Sequence, residues 1–330
     1  MVKSGRGRSI YSSGFVVLDL LFADGKIVPH AGGTAANVAI NASLLGWEAS
    51  IGARLGNDPA GREILSQLRA YGVDTSHVQV SSEVETPVVI HEVRKARHRF
   101  RFSCPNCGVK YAKFRPLAPA EASNAPESEV IFLDRASSYA TELSKMRRDH
   151  SAIVFEPGTP GRPPASAALI NLSHFVRRSG ELALPSVAES QLRGKMQVVG
   201  LGAGGVQYKL RESSDWETRP SQLVDTPVDA GGAGDWLTAV IVDQLDPEQL
   251  RFGAVGKGEM DRVLDLALGY SAACCRHVGT RGFVTTPEWS LFDRGSCVGT
   301  SGGCAVQPDI TDVADRMDCD LWFHSPKSMG

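Results

Sequence analysis

The chain has 330 residues, of which 42% are hydrophobic and 22% charged, enough apolar material for one large α/β domain or a domain with a small accessory part. A formal net charge of −2 argues against a general nucleic-acid binder, which needs a basic surface, and no apolar run is long enough to span a bilayer. The basic start, Met1 to Arg8, leads into no apolar signal core, and seven cysteines make an odd set that fits reduced thiols; the expectation is a cytoplasmic enzyme.

Ile10 to Leu20 reads as a buried strand ending near the carboxylate of Asp19, where an α/β protein opens its ligand crevice; a solvated turn residue is the plainer alternative. Asp24 to Pro29 reads as a hairpin turn and strand. Gly32 and Gly33 then allow close backbone approach, and Asn37 stands at the start of a helix running through Ala42 and Leu45. Residues 48 to 80 alternate strand, helix and strand, with Ile51 to Leu55 extended and Ile64 to Tyr71 amphipathic, the rhythm of a doubly wound sheet. Two antiparallel strands follow at Thr86 to Val93 and His98 to Phe102. Period-two alternation puts Arg97, Arg99 and Arg101 on one face, and His98, Phe100 and Phe102 on the other. That basic face, extended by Lys110, Lys113 and Arg115, is either solvated or turned toward an anionic substrate. Cys104 and Cys107 form a CxxC knuckle, half of a zinc site that needs two further ligands; Cys297 and Cys304 are the candidates, and unpaired cysteines are the alternative.

Val130 to Asp134 and Ala152 to Glu156 are further buried strands that end in acids. Phe175 to Leu182 contains Arg178 and Glu181. Val198 to Val206 is a strand and glycine turn, followed by a hairpin strand and no helix, which excludes a dinucleotide fingerprint. Gly253 to Gly258 lacks the spacing of a P-loop. Val263 to Cys275 is a periodic helix. Beyond about Pro287 the chain continues with a loop, a short helix at Ile310 to Met317, and Trp322 and Phe323, which are expected to dock on the body or a partner.

The strongest chemical signal is Asp229-Ala230-Gly231-Gly232-Ala233-Gly234-Asp235, which runs into a helix marked by Leu237, Val240, Ile241 and Leu245. Amides of Gly232, Ala233 and Gly234 at that helix start would bind an anion, aided by the helix dipole. Asp235 there is either a cap or a general base that takes a proton from an attacking hydroxyl.

The run His30 to Ala39, followed by Leu44-Leu45-Gly46, Leu55 to Gly61 and Tyr71 to Asp74, resembles the N-terminal signature of the ribokinase-like (PfkB) carbohydrate kinases, and Asp229 to Asp235 resembles their C-terminal one. The resemblance spans roughly residues 10 to 285. It implies a three-layer α/β/α sandwich with a mostly parallel sheet over residues 1–286, a small β lid at about 20–32 and 86–115, and an extension of unknown role at 287–330. It implies transfer of a phosphoryl group from ATP to a hydroxyl of a sugar or sugar-containing acceptor, with magnesium, and no nucleic acid or membrane partner.

By this resemblance Asp235 is the base, and Asp19, Gly33, Asn37 and Asp134 contact the acceptor. Arg178, Glu181, Gly202, Gly205 and Gly279 lie on the ATP side, Glu181 acting through magnesium and Asp229 lying near a monovalent-cation site. Glu156 stands where many members carry an aspartate, and pairing through the lid implies a homodimer. Arg178 replaces an expected asparagine, Gly200 a threonine, and Ala230-Gly231 a threonine pair. These departures motivate the alternative of a catalytically impaired sugar- or nucleotide-binding regulator.

Overall fold

The computed structural model describes residues 8–23, 26–94, 97–105, 107–159, 161–182, 184 and 190–292. Short apolar runs pair into a nine-stranded sheet: β1 (Ser9–Ser13), β4 (Glu48–Gly56), β5 (Val78–Ser81), β8 (Val130–Leu133), β9 (Ala152–Phe155), β10 (Phe175–Ser179), β11 (Met196–Gly200), β12 (Val206–Lys209) and β13 (Glu217–Arg219). Their order is β13-β12-β11-β10-β9-β8-β1-β4-β5. The strands from β11 through β5 run parallel, and β12 and β13 complete one edge as an antiparallel hairpin.

Alternation along each parallel strand feeds two separate cores, which is why the strands read as unbroken apolar runs. Ile10, Phe132, Val154 and Phe175 join one core; Tyr11, Leu133, Ile153, Phe155 and Val176 join the other. Helices α1 (Thr34–Leu44), α2 (Pro59–Ala70), α5 (Ala233–Gln244) and α7 (Lys257–Cys275) bury residues in the first core. Helices α3 (Ser138–Arg147) and α4 (Pro163–Leu172) bury theirs in the second, and the short α6 (Pro247–Phe252) links α5 to α7. This is the expected three-layer sandwich.

A second sheet of four strands stands apart, in the order β3-β2-β6-β7: β2 (Val17–Ala23), β3 (Lys26–Gly32), β6 (Val88–Arg94) and β7 (Arg97–Arg101). Residues 10 to 20 are therefore two strands rather than one. The break has a local cause. Phe15 N–H donates to Asp134 Oδ1 at 2.7 Å, and a Cβ at Gly14 would lie 1.6 Å from that oxygen, so only glycine lets the chain turn out of the core sheet there. Asp19 consequently sits inside β2, opposite His30 and Val89, rather than at the end of a core strand.

The expected hairpin turn at Asp24 and Gly25 lies outside the described residues, as do Ile310–Met317, Trp322 and Phe323. The first residues past 286 pack on the body. The Trp289 ring lies 5.8 Å from that of Trp236 and 5.7 Å from Phe283, within a cluster that includes Tyr270 and Phe292.

Candidate active site

The C-terminal ends of β8, β9 and β10 point at the start of α5. Because side chains alternate, Asp134, Glu156 and Arg177 share the face of Phe132, Val154 and Phe175, the face that α5 covers. Gly232 forms the N-cap in left-handed conformation at φ 82, a backbone state that favours glycine, and a Cβ there would lie 2.3 Å from Thr280. Ala233 N–H closes the turn onto Ala230 O at 3.3 Å, so the expected anion hole is not a run of three equal donors. Among the described residues the N–H groups of Gly232, Gly234 and Asp235 have no acceptor. They are the orphan donors of a helix start and suit an anion.

Asp235, 9% exposed, accepts a hydrogen bond from Asn37 Nδ2 at 2.6 Å. Arg281 fixes the orientation of that amide: its Nη1 donates to Asn37 Oδ1 at 2.8 Å and its Nη2 to Ala31 O at 2.8 Å. Burial pushes the Asp235 carboxyl up to about 7, and nearby Glu156 pushes the same way against the Asn37 hydrogen bond and Arg177. Asp19 packs against Gly32, where a Cβ would lie 2.0 Å from its Oδ2; burial lifts it to about 7 although Arg281 opposes the shift. Gly33 caps α1 at φ 85 with Phe15 O in the space a Cβ would need. Asp19 on β2, Gly33 and Asn37 at the cap and in the first turn of α1, and Asp235 in α5 are thus linked through Gly32 and through the Asn37–Asp235 hydrogen bond.

Other expected positions are placed differently. Asp134 is fully buried; its oxygens accept from Phe15 N–H and from Arg135 at 2.9 Å, which fits a turn clamp rather than an open acceptor contact. Asp229 is also enclosed, accepting from Gly231 N–H at 2.7 Å and Gly279 N–H at 2.9 Å, so it ties the motif to the loop after α7. A Cβ at Gly279 would lie 3.4 Å from Leu21 and 3.7 Å from His30, beside the lid rather than in open nucleotide space. Gly202 and Gly205 shape the β11–β12 turn with positive φ. Glu181 is exposed in the turn after β10, and Arg178 Nη1 reaches back to Leu182 O at 3.3 Å.

Arg177 is the residue the sequence reading did not single out. It pairs with Glu156, whose other oxygen accepts from Thr238 Oγ1 at 2.5 Å. Its signal was the strand period: Arg177 and Arg178 must face opposite layers, and Arg177 shares the face of Phe175.

The expected basic lid face is partly spent, since Arg101 Nε donates to Glu92 at 2.7 Å while Arg99 is exposed. Phe100 stacks on His91 at 4.7 Å between ring centroids, and His91 overhangs Gly231, where a Cβ would lie 2.8 Å from its Cε1. Two of the four ligands that the expected zinc site needs fall outside the described residues. Cys104 is buried and Cys107 exposed, and no group of three or more His, Cys, Asp or Glu there could hold a metal ion. Cys297 and Cys304 lie outside the described residues.

A doubly wound sheet whose crevice joins a glycine-lined helix start, a buried aspartate and a β lid has the ribokinase-like fold of the solved structures it resembles. The family model described as "pfkB family carbohydrate kinase" matches residues 10–157. A fructokinase of Klebsiella pneumoniae is 27% identical over 262 residues, covering 72% of this chain and 84% of the relative. The solved fructokinase of Vibrio cholerae, in its fructose, ADP and calcium bound form, shares the fold with a TM-score of 0.66 at 19% identity, covering 87% of this chain and 99% of that one. The aminoimidazole riboside kinase of Salmonella enterica does so at a TM-score of 0.64 and 17% identity, covering 86% and 99%. Over these stretches the chain is similar to PfkB carbohydrate kinases, and these matches support a sugar kinase phosphotransferase function. Among the described residues no helix is long and apolar enough to cross a membrane.

Proposed function

We propose that Asp235 is the general base of this kinase and takes the proton of an acceptor hydroxyl as it attacks the γ-phosphorus of ATP. The observation that carries this reading is the placement of Asp235: buried in the first turn of α5, beside free amide donors, and joined through Asn37 to the acceptor side. A carboxyl lifted to about 7 is matched to accepting a proton near neutral pH, since a weaker acid makes a better base. Asp19 and the Gly33 turn hold the acceptor from the lid side, so positioning and fixed dipoles supply most of the acceleration.

The donor set suits a nucleotide-borne magnesium ion. The exposed Glu181 is a carboxylate that could reach such an ion through its waters. When bound, magnesium neutralises phosphate charge. Asp229 supports a monovalent-cation site only indirectly, because both its oxygens already accept backbone N–H groups.

A fructokinase relative and a fructose-bound structural neighbour make a ketohexose the first acceptor to try. The thiols of Cys107, Cys274 and Cys275, outside any disulfide among the described residues, suit a reducing cytoplasm. Phe100 and Phe102, 53% and 62% exposed, give the lid an apolar surface for a homodimer, which sedimentation of Phe102→Ser beside the natural protein tests.

The function itself is tested by ADP release from ATP and magnesium across sugars, sugar phosphates and nucleosides, with Asp235→Asn alongside. Turnover with one acceptor that vanishes in the variant supports the assignment of the base. Equal turnover in both overturns it.

A further inference from the structure

The guanidinium of Arg177 occupies a place that the assigned roles leave unused. It lies on the α5 face of the sheet, 9% exposed, between two glycines. A Cβ at Gly234 would lie 2.6 Å from its Nη2 and 2.9 Å from its Nη1, and a Cβ at Gly200 would lie 3.2 Å from Nη2. One end of the fork is fixed, because Nη1 donates to Glu156, and Glu156 is itself held by Thr238 one helical turn beyond Gly234. The rest is not: Nε is buried and has no partner among the described residues, and Nη2 has none there either. An arginine with half its fork anchored and half unspent is preorganised for an anion. Beside it, at the same helix start, the N–H groups of Gly234 and Asp235 are also without acceptors.

We propose that Arg177 binds the phosphate chain of the nucleotide at the γ-phosphoryl group, as a cation fixed beneath the helix start by Glu156. This rests on the kinase reading above. Gly200 ends the strand that leads into the Gly202–Gly205 turn, which the resemblance puts on the nucleotide side, and Gly234 lies in the first turn of α5, read above as the anion site. A triphosphate reaching from the first to the second passes over the guanidinium that touches both. The arrangement also explains Gly234. Any larger residue displaces Arg177 from its place, whereas the left-handed Gly232 is required by its backbone.

The test compares two nucleotides by isothermal titration with magnesium: ADP and a triphosphate with a non-hydrolysable β,γ link. Arg177→Met is expected to weaken the triphosphate analogue at least tenfold while ADP changes less than threefold. Because that variant leaves Glu156 buried without its cation, the double variant Arg177→Met with Glu156→Gln is measured too and is expected to show the same selective loss. If the single variant does not fold, the double one decides. An unchanged affinity for both nucleotides, or an equal loss of both in a variant with native circular dichroism, overturns the proposal while leaving the kinase reading in place. Failure of the natural protein to bind either nucleotide would instead remove the kinase reading, and this inference with it.

Discussion

Asp235 is pulled in two directions, and its pH behaviour follows. Its folded value, about 7, lies above the ordinary 3.8, so between those limits the folded chain keeps a proton that the unfolded chain has lost. The stability this gives is complete below about pH 4 and is lost as pH rises through 7. Asp235→Asn removes the dependence, so the melting temperature of the natural protein should fall relative to that variant from pH 4 to 7, with the variant the more stable at pH 8. Catalysis runs the other way. The base must be ionised, so kcat/KM should climb through about pH 7 and level off above it, while Asp235→Asn should lose on the order of 10²- to 10⁴-fold in kcat. A profile flat from pH 5.5 to 8.5 would count against Asp235 as base. Arg281 contributes through Asn37: Arg281→Met frees the Asn37 amide to rotate, and the expected result is a drop in kcat larger than any rise in KM for ATP.

At the scale of elements, the junction between α5 and the loop after α7 carries the site. Trp236 Nε1 donates to Thr280 O at 2.6 Å, Asp229 binds Gly279 N–H, and Thr280 fills the space over Gly232. Gly232→Ala meets both a positive φ and the Thr280 side chain. It should cost about 1–3 kcal/mol of stability, read as a shift in denaturant midpoint at unchanged slope. Gly234→Ala has no such backbone penalty. It should cost less stability than Gly232→Ala yet impair the triphosphate analogue more, because the atom it meets is the movable tip of Arg177. Equal stability losses in the two variants would mean that the φ of Gly232 carries no strain for alanine.

Across the whole molecule, the lid is a separate sheet resting on the crevice. It touches the motif through His91 over Gly231 and through His30 and Leu21 beside Gly279. Acceptor and nucleotide bound together should therefore stabilise more than either alone. At concentrations about 100-fold above its Kd, each ligand adds about 2.7 kcal/mol by mass action. A combined shift in unfolding free energy beyond the sum of the separate shifts reports closure, and strict additivity would mean that the lid does not couple the two sites.

Two signatures, read in order, were enough to determine the layer architecture and the helix start of α5, because glycines at a turn and apolar periods are local chemistry, whereas the set Asp19, Gly33, Asn37 and Asp235 came from the resemblance. The chain also showed the lid as alternating strands interrupting a βαβ rhythm. It did not show that Gly14 and Asp134 would fold β2 away from β1, since that bond joins residues 119 positions apart. Nor could it rank Arg177 above Arg178: which one reaches the helix start depends on the layer that each face meets. Asp134 and Asp229 stand at strand and motif ends in the sequence, but each also accepts a backbone N–H that only a distant segment supplies, Phe15 for Asp134 and Gly279 for Asp229. Residue type and spacing are written along the chain, whereas burial and partnership across the sheet exist only once distant segments have packed.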